Sequence, residues 1–212
     1  MKSKENNIDK LFLLSVKKLG SSDLSFAKMK EFLFKKGATK LEVEIIIEKL
    51  NHYSLLNEDE LIKNVIKYAN SKHYGYLKII NILKKKEVSQ DKIDKLSKDE
   101  HREIKEANML LESLVKRYKN KNTVNLKRNV YLGLIRHGFD ENLASSLIDK
   151  VYNSPQKELN MLKLDYLKLF SSYSRKTKGK ELTDKLVKSL LSKGYKKEDI
   201  YLVIKEQNNE VD

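Results

Sequence analysis

The chain has 212 residues, 40% hydrophobic and 35% charged, and carries 44 Lys and Arg against 30 Asp and Glu, a net charge of +14. That balance excludes both a disordered polyampholyte and a membrane protein, and no apolar run nears the roughly 18 residues of a spanning helix. Without cysteine there is no disulfide, thiolate nucleophile or Cys-ligated zinc. One proline and seven glycines, amid abundant Lys, Leu, Ile and Glu, mark a helical chain. The N-terminus has too short an apolar core for a signal peptide and lacks a small-residue cleavage site, so a soluble cytoplasmic protein is expected.

In chain order, the first expected helix lies in IDKLFLLSVKKL. The second, FAKMKEFLFKK, puts Met29, Phe32 and Leu33 on one face and ends at Lys36-Gly37. A third helix then carries Val43, Ile46, Ile47 and Leu50 at helical spacing. The junction between the second and third helices, Leu33–Val43, recurs at Leu83–Ile93, Leu134–Ala144 and Leu190–Ile200. Each copy begins with Leu and has a cation or His three places on, at Lys36, Lys86, His137 and Lys193. Gly37, Gly138 and Gly194 follow in three copies, and Glu87 in the fourth. A helix closing on a basic residue and Gly uses glycine's left-handed freedom, and the cation faces the C-terminal dipole. Thr39, Ser89 or Asp140 then stands ready to cap the next helix.

Another helix precedes each junction helix, in EDELIKNVIKYANSK, HREIKEANMLLESLVKRYK and PQKELNMLKLDYLKLFSSYS, the last opened by Pro155. The expected architecture is all-α: an elongated solenoid of about four tandem three-helix repeats in one domain, 1–212, at approximately 8–53, 54–97, 98–153 and 154–208. Units this small are expected to complete their cores by stacking on neighbours. The alternative is a compact helical bundle.

Charge follows the same phase. Leu61–Lys86 holds seven Lys or Arg, Ser113–Phe139 seven and Tyr166–Lys180 five, all three without an acid. These windows carry nineteen positive charges against a net of +14, so the rest of the chain sums to −5. Codon bias would not sort sign by repeat position, whereas a polyanion partner explains the missing acids. The windows are expected to line up as a positive ridge. The candidate contacts are Lys67, Lys72, Lys78, Lys116, Arg117, Lys119, Lys121, Lys127, Arg128, Arg175, Lys176, Lys178 and Lys180. Tyr74, Tyr76, Tyr118 and Tyr173 lie among them as candidates for stacking on unpaired bases, or for packing the ring and wetting the hydroxyl.

The second unit carries a resemblance. Asn57-Glu58-Asp59, Leu61, Gly75, Ile79, Leu83, Lys86 and Val88, with Ser25, Met29, Leu33, Lys36 and Gly37 in the first unit, resemble the signature of the RecX regulatory proteins over roughly residues 8–97. Glu87 stands where that signature has Gly, so this helix end is expected to close without a free left-handed residue, and Lys28 replaces the usual acid. The resemblance implies three-helix repeats and a modulator of the RecA recombinase. Such a protein lies in the groove of the RecA–DNA filament and restrains its assembly, ATPase and strand exchange.

A catalytic role finds no support. The four histidines are scattered, and no P-loop or Gly-x-Gly-x-x-Gly is present. The acids at 58–60 open a helix, where they suit the dipole better than a metal. No enzyme activity, cofactor or metal is expected. The expected partners are the RecA filament and single- or double-stranded DNA, with no membrane, and a monomer is expected. The alternative is a helical-repeat single-stranded nucleic-acid-binding protein without a recombinase partner.

Overall fold

Thr39 shows how a helix starts in this chain. Its hydroxyl accepts the Glu42 amide while the Glu42 carboxylate takes the Thr39 amide at 2.8 Å, a reciprocal cap. Asp140 caps its helix through the Leu143 amide at 2.9 Å, and Ser154 does the same ahead of Pro155.

The computed structural model describes residues 2–209, with side chains described from 7 to 207. Among them there are twelve helices and no strand. They are α1 (Lys2–Leu19), α2 (Phe26–Lys35), α3 (Lys40–His52), α4 (Glu58–Ser71), α5 (Tyr76–Lys85), α6 (Gln90–Asp94), α7 (Glu100–Arg117), α8 (Thr123–Arg136), α9 (Glu141–Ile148), α10 (Pro155–Tyr173), α11 (Gly179–Ser192) and α12 (Lys197–Asn209). The fold is an all-α helical repeat.

The chain divides into two compact units. One comprises Met1–Glu106 with His137–Phe139, the other Ala107–Arg136 with Asp140–Asp212.

The junctions close as their glycines require. Gly37, Gly138 and Gly194 hold φ of 84°, 87° and 92°. Glu87 departs from expectation: it takes the left-handed conformation itself, at φ 54°. Its junction then closes like the others, with the Val88 amide reaching the Leu83 carbonyl at 3.1 Å as Ala38 reaches Leu33. The Glu87 side chain forms an ion pair with Lys28, so the two residues that depart from the RecX signature pair with one another.

Each triplet of helices in the first unit closes its own core. Leu11, Met29, Leu33, Val43, Ile46 and Leu50 pack together from α1–α3. Leu61, Val65, Ala69, Ile79, Leu83 and Ile93 do so from α4–α6. In the second unit Leu162, Tyr166, Leu186, Leu190, Ile200 and Val203 form the cluster of α10–α12.

Successive triplets meet through apolar contacts, Gly75 on the Phe139 ring and Gly194 on Val124, and through a recurring set of polar bonds. In the first unit Glu58, at the start of α4, accepts the Phe26 amide of α2 at 3.1 Å and the Ser89 hydroxyl at 2.8 Å. Beside it the Ser25 hydroxyl donates to the Lys86 carbonyl at 2.6 Å. The pattern recurs within the same unit. Glu103 accepts the Tyr76 amide at 2.9 Å, and the Gly75 amide donates to the His137 carbonyl at 2.8 Å. Gly75 cannot carry a side chain here, because a Cβ would overlap the Gly138 carbonyl. The second unit repeats it once more. Glu158 accepts the Thr123 amide at 2.9 Å, and the Asn122 amide group donates to the Lys193 carbonyl at 2.8 Å. Within the first unit the N-terminus of α2 thus meets the C-terminal turn of α5, and within the second the N-terminus of α8 meets that of α11, with a glutamate satisfying the first orphan amide in each case.

Candidate nucleic-acid interface

The thirteen cations singled out in the sequence sit at the ends of first helices, in the connections after them, or on second helices. In the first unit Lys67 lies on α4, Lys72 is its C-cap, and Lys78 is in the first turn of α5. In the second, Lys116 and Arg117 close α7, while Lys119 and Lys121 follow in the connection to α8. Lys127 and Arg128 lie on α8. Arg175, Lys176 and Lys178 connect α10 to α11, and Lys180 is in the first turn of α11. All but Lys78 and Lys127, which are half-buried, are exposed.

Among the described residues none of the thirteen is held by a carboxylate. Lysines elsewhere are held: Lys49 by Asp9, Lys92 by Asp59, Lys163 by Glu206, Lys185 by Glu181 and Lys193 by Asp165. Within the windows Lys63 is an exception, facing Glu60 at 3.6 Å, and outside them Lys17, Lys40 and Lys150 are, among the described residues, also without a carboxylate partner. A bare cation keeps its full attraction for a phosphate and loses no partner on binding. Lys28, Glu31 and Lys35 show the opposite case. Hydrogen bonds from Lys35 and then Lys28 hold the Glu31 carboxyl down at about 2, and the Lys28 ammonium is raised by Glu87 and then Glu31.

The four tyrosines differ. The Tyr76 hydroxyl donates to the Leu96 carbonyl at 2.8 Å, and Tyr173 shares a hydrogen bond with Ser189 at 3.0 Å while packing on the α10–α12 core. Tyr118 is half-buried near the end of α7. Tyr74 packs on the α4–α6 core and meets Tyr68 edge-on, with ring centroids 6.0 Å apart. The Lys78 ammonium lies 5.6 Å from the Tyr74 centroid. Burial, together with the neighbouring Tyr68 hydroxyl, pushes the Tyr74 phenol up.

These side chains border a groove of about 420 Å³ in the first unit, whose walls include Tyr68, Lys78, Lys86 and Asn64. A groove at the equivalent joint of the second unit encloses about 590 Å³. Counting on from Glu58 and Glu158, Asn64, Val65 and Tyr68 correspond to Leu164, Asp165 and Lys168. The second groove is therefore cationic where the first is aromatic. There the Tyr195 hydroxyl donates to Asp165 at 2.9 Å. Burial, then that hydrogen bond, raise the phenol far above the usual tyrosine range.

No protein-family model matches the chain. It is 26% identical over 139 residues to the regulatory protein RecX of Bacillus pumilus (strain SAFR-032), covering 63% of this chain and 52% of that one. It is 30% identical over 105 residues to the regulatory protein RecX of Staphylococcus saprophyticus subsp. saprophyticus, covering 49% and 37%. The chain thus spans about half, or less, of the length of the curated relatives it matches. A crystal structure of a regulatory protein RecX superposes with a TM-score of 0.58 at 19% identity, over 70% of this chain and 74% of that one, and so shares the fold. The chain is RecX-like, and the RecX family is supported.

In this RecX-like chain the groove contributes residues that the sequence did not single out as contacts: Tyr68 and Lys86 in the first unit, Lys168 and Lys193 in the second. Tyr68 was visible as a window tyrosine between Lys67 and Lys72. Its partnership with Tyr74 needed the fold. Among the described residues no three His, Asp or Glu converge as a metal would need, and no helix is long and apolar enough to cross a membrane.

Proposed function

We propose that the chain is a RecX-like regulator that binds the RecA–DNA filament and restrains RecA's recombinase and ATPase activity. The observation that carries this reading is the clustering of thirteen cations, none held by a carboxylate among the described residues, in the acid-free windows of both units. The names of the two curated relatives support the regulatory half of it. The protein acts without chemistry of its own, as a cytoplasmic monomer working in DNA repair by homologous recombination and the SOS response. Its four repeats, 8–53, 54–97, 98–153 and 154–208, carry their cationic windows toward DNA and acidic filament surfaces.

The decisive measurement is steady-state RecA ATPase on preformed filaments, titrated with this protein, with a parallel series in excess DNA. Inhibition is expected well below one copy per RecA monomer and persists when DNA is in excess. The exposed ring of Tyr68 favours a second reading, a repeat protein that coats single strands without a recombinase. Coating competes site for site, so inhibition that needs stoichiometric protein and vanishes with excess DNA would establish the second reading and refute the first.

A further inference from the structure

We propose that the first unit's groove is a seat for one unpaired nucleotide, with the base stacked on Tyr68 and the phosphate held by Lys78. The inference rests on the reading that the chain binds DNA, and it assigns a task to one place on the surface.

Tyr68 is 50% exposed, so one part of its ring faces solvent. Tyr74 abuts it edge-on at an interplanar angle of 75° and is itself packed on the core, which fixes the Tyr68 ring before a base arrives. A platform held in place this way loses little freedom on binding. The groove's volume, about 420 Å³, falls within the range of roughly 300–1,000 Å³ of small-molecule clefts. Buried Val65, with half-buried Ile82, gives it an apolar floor.

The polar groups are sorted along the groove. Lys78 stands at the Tyr74 end, without a carboxylate partner among the described residues. Lys86, at the other end, is tied to the Asp23 carbonyl at 3.3 Å. The Asp23 carboxylate accepts the Asn64 amide at 3.1 Å. A carboxylate repels phosphate and accepts N–H groups, so the Asp23 end suits the edge of a base and the Lys78 end suits the phosphate. The second unit supplies an internal contrast. At its equivalent joint Lys168 stands in the place of Tyr68 and the ring lining that groove, Tyr195, is buried, so that groove offers a cation for phosphate and no exposed ring.

The test compares two probes by fluorescence anisotropy: an oligo-dT strand and a strand of the same length made wholly of abasic sites. The native chain is expected to bind the base-bearing strand at least about fivefold more tightly, the lower end of a single stacked base. Tyr68→Ala reduces that ratio by the same factor and Tyr68→Phe preserves it. Lys78→Gln and Lys168→Gln weaken both strands alike. Circular dichroism checks that each variant is folded, and an exposed ring can be removed without opening the core. Equal affinity of the native chain for both strands overturns the seat and leaves DNA binding standing. So does a base preference that survives Tyr68→Ala. Failure to bind either strand overturns the seat and the DNA-binding reading together.

Discussion

Glu58 offers the strictest test of how the triplets are joined. It is 2% exposed and holds three donors: the Phe26 amide at 3.1 Å, the Ser89 amide at 3.3 Å and the Ser89 hydroxyl at 2.8 Å. A hydrogen bond to a charged acceptor contributes about 1.5–3 kcal/mol, and a buried donor left unmade costs about 1–3 kcal/mol. Ser89 is exposed, so water replaces most of what its donors lose. The Phe26 amide is half-buried at the first turn of α2 and has no helical acceptor. Glu58→Ala is therefore expected to cost about 2–4 kcal/mol, less than three full bonds and more than a surface change. Glu58→Gln keeps one acceptor oxygen and turns a donor toward the other partners, so it falls between. Glu60→Ala is the control: Glu60 is exposed in the same turn and faces only Lys63 at 3.6 Å, a change expected to stay within about 0.5 kcal/mol. Urea unfolding followed by circular dichroism measures all three, and amide exchange at Phe26 reports the joint directly. Equal costs for the alanine variants at 58 and 60, with Phe26 exchange unchanged, would refute the polar joint.

Glu31 is expected to titrate near 2 by NMR and to return toward the ordinary glutamate value when Lys28 and Lys35 are both changed to Gln. Because its folded value is depressed, its stabilisation is complete above the unfolded value and is lost as pH falls toward about 2. Gly37→Ala adds a methyl to open space at φ 84° and should cost about 1–2 kcal/mol in denaturant unfolding, the left-handed penalty alone. Gly138→Ala carries the same penalty and also drives its Cβ into the Lys78 backbone, so it should cost at least about 1 kcal/mol more. Changing Lys116, Arg117, Lys119 and Lys121 to Gln should remove most DNA affinity and flatten its salt dependence by about 0.7 per lost phosphate contact on a single strand. The control set, Lys92, Lys95 and Lys150, should do much less, since Lys92 is already paired with Asp59.

The helices and their ends were legible because they rest on local rules. Thr39, Asp140, Gly37 and Gly194 act through residues within a turn or two of themselves, which is the range that periodicity and capping patterns cover. Glu87 was misread because only half of its local rule was visible. Glycine makes the left-handed turn cheaply, but a non-glycine residue can also take it, as Ser54, His73 and Glu87 all do, and the ion-pair partner of Glu87, Lys28, lies fifty-nine positions away in sequence. Glu58 was read as a dipole partner for its own helix, α4. Its structural task is to satisfy an amide of α2, a contact across thirty-two positions that no spacing rule encodes. The cationic windows could be read because absence of acid is a property of composition. The pairing of Tyr68 with Tyr74 could not, because it depends on the turn after α4, where His73 takes a positive φ and the Tyr74 amide returns to the Ala69 carbonyl.

At every joint the group that accepts from the preceding second helix is a main-chain carbonyl, belonging to Lys86, His137 or Lys193. None of those three side chains supplies the accepting group, and each has a contact of its own: Lys86 with the Asp23 carbonyl, Lys193 with Asp165, and the His137 ring with Tyr74. Replacing one by a residue of different charge would alter the electrostatic surface of a repeat while its coupling to the next stayed intact. A protein built this way can change the surface charge of one repeat without rewriting the main-chain bond that ties it to its neighbour.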